Sequence, residues 1–246
     1  ISVLAFVLFG LLAVPPLSAG TRLLYQGGSG VVITGHAMDW SEAPQGNIWS
    51  LPRGVVRNGG AGPKSHAWSA RYGSVALTSY DLGTVDGMNE AGLVANLLYF
   101  KEADYGTTGD KPAMSVSLWA QYALDSFASV RQAVVSMEQE PFRLVAPDFP
   151  SGRKMTFSLA LSDSTGDSAI LEYVDGDLAI YHGKQFRVAV DNSPYEQQIE
   201  QNAYWERIGS VSLMPGTSHP ADRFARASVL LKSLPRELDR RFVGVG

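Results

Sequence analysis

Gly20-Thr21-Arg22-Leu23-Leu24-Tyr25-Gln26-Gly27-Gly28-Ser29-Gly30-Val31-Val32-Ile33-Thr34-Gly35-His36-Ala37-Met38-Asp39-Trp40 is the stretch whose reading organises the rest of the chain. Leu23-Leu24-Tyr25 lead into a Gly/Ser turn, and Val31-Val32-Ile33-Thr34 lead out of it. Two β-prone runs split by such a turn predict a hairpin. With the turn centred near Gly28, antiparallel partners sum to about 56, give or take roughly two residues. Residue 20 then lies opposite His36, with Asp39 just beyond, so the hairpin carries a His and an Asp back to residue 20.

Residues 1–19 differ from everything after them. An uninterrupted apolar run from Val3 to Val14 is broken by Pro15-Pro16, and Leu17-Ser18-Ala19 supplies a small-residue cleavage site. This reads as the later part of a secretory signal peptide, incomplete at its start and short for a membrane span. A short membrane anchor or a buried helix is the alternative. Export to a bacterial periplasm or the cell exterior, with cleavage after Ala19, makes Gly20 the N-terminus and leaves no stable membrane span.

The chain has 246 residues, 45% hydrophobic and 18% charged, enough for one domain over 20–246 with a sizeable core. A net charge of -4 without a Lys/Arg run argues against nucleic acid as a partner. The absence of cysteine excludes disulfides and thiolate metal sites, and four scattered histidines, none at i, i+4, argue against a metal enzyme.

Further along, Ile48 to Gly54 reads as a short apolar segment, 57–66 as a Gly/Pro-rich loop, and Trp68 to Tyr80 as one or two strands. Val85 to Tyr99 reads as two strands around a turn at Asn89-Glu90-Ala91-Gly92. Lys101 to Pro112 is a polar loop. Helices are predicted from Ser115 to Ala123 and from Ser129 to Glu138, the second on the spacing of Val130, Val134 and Met137 and ended by Pro141. Phe142 to Lys154 is a loop, either a rim over a site or a plain connector. Strands return at 155–162, 168–174, 178–182 and 186–190 as an antiparallel meander with a hairpin turn at Asp175-Gly176-Asp177. Helices follow from Tyr195 to Glu206 and from Ala221 to Ser233. This order predicts an α+β domain whose sheets are covered by helices.

A signal peptide, a strand beginning Gly20-Thr21-Arg22, a hairpin closing on Asp39-Trp40, Asn89-Glu90-Ala91-Gly92-Leu93, Asp191-Asn192-Ser193-Pro194, and Pro215-Gly216 with Arg223-Phe224 before a helix follow one another in order. In that order they resemble the choloylglycine hydrolase family, which includes bile salt hydrolases, penicillin V acylases and their Gram-negative secreted relatives. The resemblance covers residues 20–233. It implies an αββα sandwich, hydrolysis of a linear amide through an N-terminal nucleophile, no cofactor, and a small-molecule amide as partner, with homotetramers common among similar proteins. Candidate substrates are penicillin V, N-acyl homoserine lactones and conjugated bile acids.

Position by position, the resemblance puts the family's nucleophilic Cys on Gly20, with its own α-amino group as base. The Arg beside the thiolate falls on His36, the acid that holds the amine on Asp39, an oxyanion donor on Asn192 and a second on Tyr99. Arg223 takes the place of the buried cation that orders the site, and Leu97, Leu98 and Phe100 form an apolar wall for an acyl or aromatic group. Each has a plainer reading: Asp39 a turn acid, His36 a satisfied strand-end histidine, Asn192 an Asx-turn before Pro194, Tyr99 packing, Arg223 a surface helix cation.

Two departures matter. Glycine cannot attack a carbonyl, so the chain lacks the nucleophile and is expected to be inactive as it stands. An introduced or mistaken substitution, a natural relative that keeps only ligand binding, and Thr21 as nucleophile compete to explain this. Thr21 points away from where residue 20 points, since strand side chains alternate. The family's chain also continues past a helix like 221–233 through further strands, so terminal strands are expected to be missing, leaving sheet edges and apolar surface exposed.

Overall fold

The computed structural model describes residues 19–39, 43, 45–106, 109–147, 154–208 and 214–235. Most of the expected signal peptide, Trp40 and the last residues lie outside these, as do the side chains of Ala19, Ser29 and Asp39.

The opening hairpin forms. Strands β1 (Ala19–Gln26) and β2 (Val32–Asp39) pair antiparallel around a 3-10 turn at Gly28–Gly30. Gly20 pairs with Met38, and His36 with Arg22, so the register sits two residues from the central expectation. The three-residue turn, with Gly30 at φ +73°, centres the hairpin one residue later than Gly28. Side chains of β1 alternate as a strand must. Arg22 reaches Ser168 Oγ and Leu161 O on one side, each at 3.0 Å. Thr21 and Tyr25 bond to groups on the other side, Arg223 and Pro235 O.

Next come β3 (Asn47–Leu51), β4 (Val56–Asn58), β5 (Ala67–Ser69), β6 (Ser74–Ser79), β7 (Gly83–Asn89) and β8 (Val94–Tyr99). Arg57 and Asn58, read as loop, belong to β4. The Arg57 guanidinium donates to the Asp125 carboxylate at 2.6 Å, which Trp68 Nε1 on β5 also reaches at 2.8 Å. Asn89 ends β7, and Gly92 at φ +89° completes the expected turn into β8.

The helix expected from Ser115 starts later. Met114 and Ser115 on β9 (Ala113–Ser115) pair in parallel with Leu144 and Val145, and a 3-10 turn intervenes before α1 (Trp119–Ser126). Helix α2 (Val130–Met137) is capped by Ser129, whose Oγ accepts from Gln132 N. The partner of β9 is β10 (Arg143–Val145), inside the segment read as a loop.

Strands β11 (Phe157–Ser162), β12 (Ser168–Val174) and β13 (Asp177–His182) form the predicted antiparallel run, with Asp175 at φ +53° and Gly176 at φ +86° in the hairpin turn. β14 (Val188–Val190) does not complete that meander. After a turn at Gly183, with Phe186 N bonded to Gly183 O, it crosses to pair with β1, Thr21 opposite Val190. Helices α3 (Tyr195–Arg207) and α4 (Pro220–Ser233) follow close to their predicted bounds, α4 opening with a proline, which suits a first helical turn.

The result is the expected four-layer α+β sandwich. A seven-stranded antiparallel sheet, ordered β13-β12-β11-β8-β7-β6-β3, faces the three-stranded sheet β14-β1-β2. α1 and α2 cover the large sheet, while α4 and α3 cover the small one. Alternation divides the core. Leu97, Leu159, Leu161 and Leu171 face α1 and α2, whereas Leu98, Ala160 and Ile170 join Val188, Val190, Tyr195 and Phe224. Among the described residues, three strands face seven, and the smaller sheet leaves part of the larger one uncovered. Ile48, Val75 and Met88 are exposed and line a groove between β2 and the β3–β6–β7 end of the large sheet. No helix among the described residues is long and apolar enough to cross a membrane.

Candidate active site

Residue 20 sits where β1 loses its partner β14. The β1–β14 ladder begins at Thr21, and beyond it Asp191 takes over the backbone of residue 20. Asp191 N donates to Gly20 O at 3.2 Å. The Asp191 carboxylate lies against the same residue, its Oδ2 3.5 Å from an ideal Cβ on Gly20.

Arg223, on the first turns of α4, closes the ring. Its Nη1 donates to Gly20 O and, at 3.2 Å, to Thr21 Oγ1, while Nη2 donates to Asp191 Oδ1 at 2.6 Å. The side chains of Arg223 and Asp191 are only 10% and 3% exposed, so this is a buried ion pair, with the other Arg223 donors taken by Gly20 O, Ser218 O and Thr21 Oγ1. Burial raises the Asp191 pKa, and the hydrogen bond from Arg223 opposes that rise.

Gly20 and Asp191 line a cleft of about 760 Å³, part of which opens to solvent. Its wall is largely apolar, with Leu82, Val85, Leu97, Leu98, Met155 and Phe157. Tyr99 also lines it, its ring edge-on to Phe157 with centroids 6.3 Å apart. A Cβ built on Gly20 meets nothing closer than 3.5 Å, the neighbours being Asp191 Oδ2 and Ala37 O. A Cβ at position 20 therefore makes only ordinary van der Waals contacts.

His36 lines the same cleft, though it stands opposite Arg22 rather than Gly20. Its Nδ1 is 2.7 Å from Asp86 Oδ1 on β7, and Asn96 Nδ2 on β8 donates to the same oxygen at 2.7 Å. With its side chain 4% exposed, His36 is fixed between the two sheets.

Several expected residues thus come together: Gly20, Arg223, Tyr99, His36, Leu97 and Leu98. Asn192 follows Asp191 at φ +59°, a left-handed conformation that Asn tolerates, and its N–H donates to Tyr99 O at 2.9 Å. It is Asp191, not Asn192, that lines the cleft. Asp39 pairs with Ala19, one register step past Gly20. Phe100 does not belong to the wall. It lies past the end of β8, its N–H bonded to Thr156 O, buried away from the cleft, and Met155 and Phe157 stand in its place.

The sequence profile of the linear amide C–N hydrolases, choloylglycine hydrolase family, matches residues 20–241. The chain belongs to the choloylglycine hydrolase family. Penicillin V acylase from Pectobacterium atrosepticum is 44% identical over 211 residues, covering 82% of this chain and 56% of that protein. The chain thus spans little more than half the length of that curated relative. The structure of penicillin V acylase from Agrobacterium tumefaciens is 44% identical, with a TM-score of 0.81 over 89% of this chain and 67% of that one. A mutant conjugated bile acid hydrolase from Clostridium perfringens, 20% identical with a TM-score of 0.74 over 91% of this chain and 76% of that one, shares the fold.

Two residues escaped the sequence reading: Asp191, which lines this choloylglycine-family cleft, and Asp86, which holds the His36 that lines it. Asp191 opens Asp191-Asn192-Ser193-Pro194 and reads as a turn acid; its place at the end of β14, beside the start of β1, was the missing signal. Asp86 reads as an ordinary residue between Val85 and Gly87, and only the facing of β2 and β7 reveals its bond to His36.

Proposed function

We propose that this chain carries the site of an exported linear amide hydrolase, of penicillin V acylase type, whose nucleophile position is Gly20 and which is silent as it stands. The observation that supports the reading most directly is the room at residue 20. A side chain there enters the cleft beside Asp191, while its backbone C=O is held by Asp191 N and Arg223.

With cysteine at that position and residue 20 as the N-terminus, the α-amine takes the thiol proton as sulfur attacks the amide carbonyl. Asn192 and Tyr99 are the proposed oxyanion donors. The proton passes to the leaving amine as the C–N bond breaks, and water then releases the acyl group from sulfur. Each step is met by groups of the chain and water. The apolar wall suits the acyl side of penicillin V or an N-acyl homoserine lactone better than a charged group. Cleavage after Ala19, export and assembly into a homotetramer belong to the same proposal, with size-exclusion chromatography reading the last.

The test is Gly20→Cys. Intact mass shows whether the exported chain begins at residue 20, and amide hydrolysis is assayed on penicillin V and on acyl homoserine lactones of graded length. Turnover present in the variant and absent in the parent is the expected result. A correctly processed, folded variant that turns over neither class sinks the hydrolase reading. It would leave the second reading, a relative that binds amides without cleaving them, which the missing nucleophile favours. Calorimetric binding of penicillin V to the parent chain reads that alternative directly.

A further inference from the structure

We propose that Asp191 is a positioning residue: its carboxylate, braced by Arg223, seats the α-amino group of residue 20 and holds that amine in its protonated form to higher pH. The inference rests on the reading above that residue 20 becomes a free N-terminus.

The geometry is specific. An interior strand residue offers its N–H to a neighbouring strand, but the ladder to β14 has ended at Thr21. The C=O of residue 20 receives Asp191 N and Arg223 Nη1 instead. In an antiparallel strand the N–H and C=O of one residue point to the same side, so the N–H of residue 20 is turned toward this ion pair as well. Asp191 Oδ1 is committed to Arg223 at 2.6 Å, while Oδ2 lies 3.5 Å from where the Cβ of residue 20 would be. A terminal ammonium in place of the amide N–H puts a full charge beside that carboxylate.

The charged surroundings are few. Arg223 approaches from α4 and is already paired with Asp191. His36 faces the cleft from β2 with Asp86 of β7 on its Nδ1. Among the described residues that line the cleft, Asp191 is the one carboxylate. Asp39, the acid the family resemblance assigned to the amine, ends β2 opposite Ala19. A free α-amine titrates near 7.7–8.0, and an opposite charge in contact shifts a group by about one to three units toward its charged form. In the reaction the neutral amine takes the thiol proton, and the ammonium so formed, beside Asp191, returns that proton to the leaving amine.

The test needs no nucleophile. The exported chain is labelled with [15N]glycine, shown by mass to begin at Gly20, and the amine 15N shift is followed against pH. The midpoint is expected to lie higher in the folded chain than in the same chain in concentrated urea. Asp191→Asn is expected to lower it by about one unit or more, and Asp191→Glu to recover part of the shift. A folded-chain midpoint at or below the unfolded one overturns the proposal without recourse to any variant. So does an unmoved midpoint in a folded Asp191→Asn chain. The Gly20→Cys background separates the two readings. A moved midpoint with no amide turnover keeps the seat and removes the hydrolase. Turnover whose pH profile ignores Asp191→Asn keeps the hydrolase and removes the seat.

Discussion

Two glycines border the cleft, and they are there for opposite reasons. A Cβ on Gly20 has ordinary contacts at 3.5 Å, whereas one on Gly83 falls 2.1 Å from Ser117 O, inside any allowed approach. Gly83 lets β7 run against the turn that leads into α1, and Gly20 leaves a place unfilled. Gly20→Ala is expected to change stability by less than about 0.5 kcal/mol, and Gly83→Ala to cost about 2 kcal/mol or more through forced backbone movement. Urea unfolding of the two variants checks this, and equal midpoints would contradict it. Leu82 tests the wall itself, because it lines the cleft yet is 50% exposed, so its loss spares the core. In the Gly20→Cys chain, Leu82→Asp is expected to raise KM for an acyl or aryl substrate roughly tenfold, about 1.4 kcal/mol of lost apolar contact, with kcat nearly unchanged. At this scale the sequence revealed the residues whose neighbours in the chain form a pattern, Gly20 and Arg223 among them. It hid Asp191 and Asp86, whose roles come from partners 171 and 50 positions away, Gly20 and His36.

The elements were legible where they are locally determined. The opening hairpin, α2 and the hairpin at Asp175-Gly176 carry their own turn or cap residues, α3 and α4 begin at prolines that suit a helix start, and the structure keeps all of them close to their predicted bounds. β14 was misassigned because a strand's partner is a long-range choice. Val188 to Val190 look the same whether they join β13 or β1, and the choice of β1 is what delivers Asp191 to residue 20. The motif Asn89-Glu90-Ala91-Gly92 also changes meaning between sequence and structure. It shapes the turn, but buried Asn89 does more: Nδ2 donates to Leu124 O and Phe127 O at 2.8 and 2.7 Å, and Oδ1 accepts from Ala91 N and Leu93 N. The residue pins the C-terminal end of α1 to the β7–β8 turn. Asn89→Ala leaves carbonyls and amides unpaired in the interior and is expected to cost about 3 kcal/mol. Asn89→Asp, which keeps the acceptor but loses both donations, is expected to be no better. Either variant melting with the parent would show that water replaces the amide at no loss.

For the molecule as a whole, the four layers are set by alternation within strands, which is why the sandwich could be anticipated from the resemblance while its inner polar groups could not. The sheets enclose charges that the periodicity of apolar residues does not report. Arg22 is fully buried, held by Ser168 Oγ and the carbonyls of Leu161 and Phe186, and desolvation lowers its pKa to about 10. Glu172 on β12 is buried and accepts from Tyr195 N, the first amide of α3, at 2.8 Å. A helix N-terminus favours a carboxylate, yet burial outweighs it, and Glu172 is pushed up to about 7 from an ordinary 4.5. Between those values the folded chain binds a proton that the unfolded chain has released. Folding stability from this group is thus fully present at low pH and is lost as pH rises through about 7, a change on the order of 3 kcal/mol. Burial raises Asp191 in the same sense, so the two slopes add. Glu172→Gln keeps an acceptor for Tyr195 N and removes the charge. Its melting temperature is expected to match the parent near pH 5 and to exceed it by several degrees at pH 8. A parent whose stability rises from pH 5 to pH 8, or a variant that tracks it throughout, would show that Glu172 is ionised in the folded chain and that α3 is anchored by a carboxylate after all.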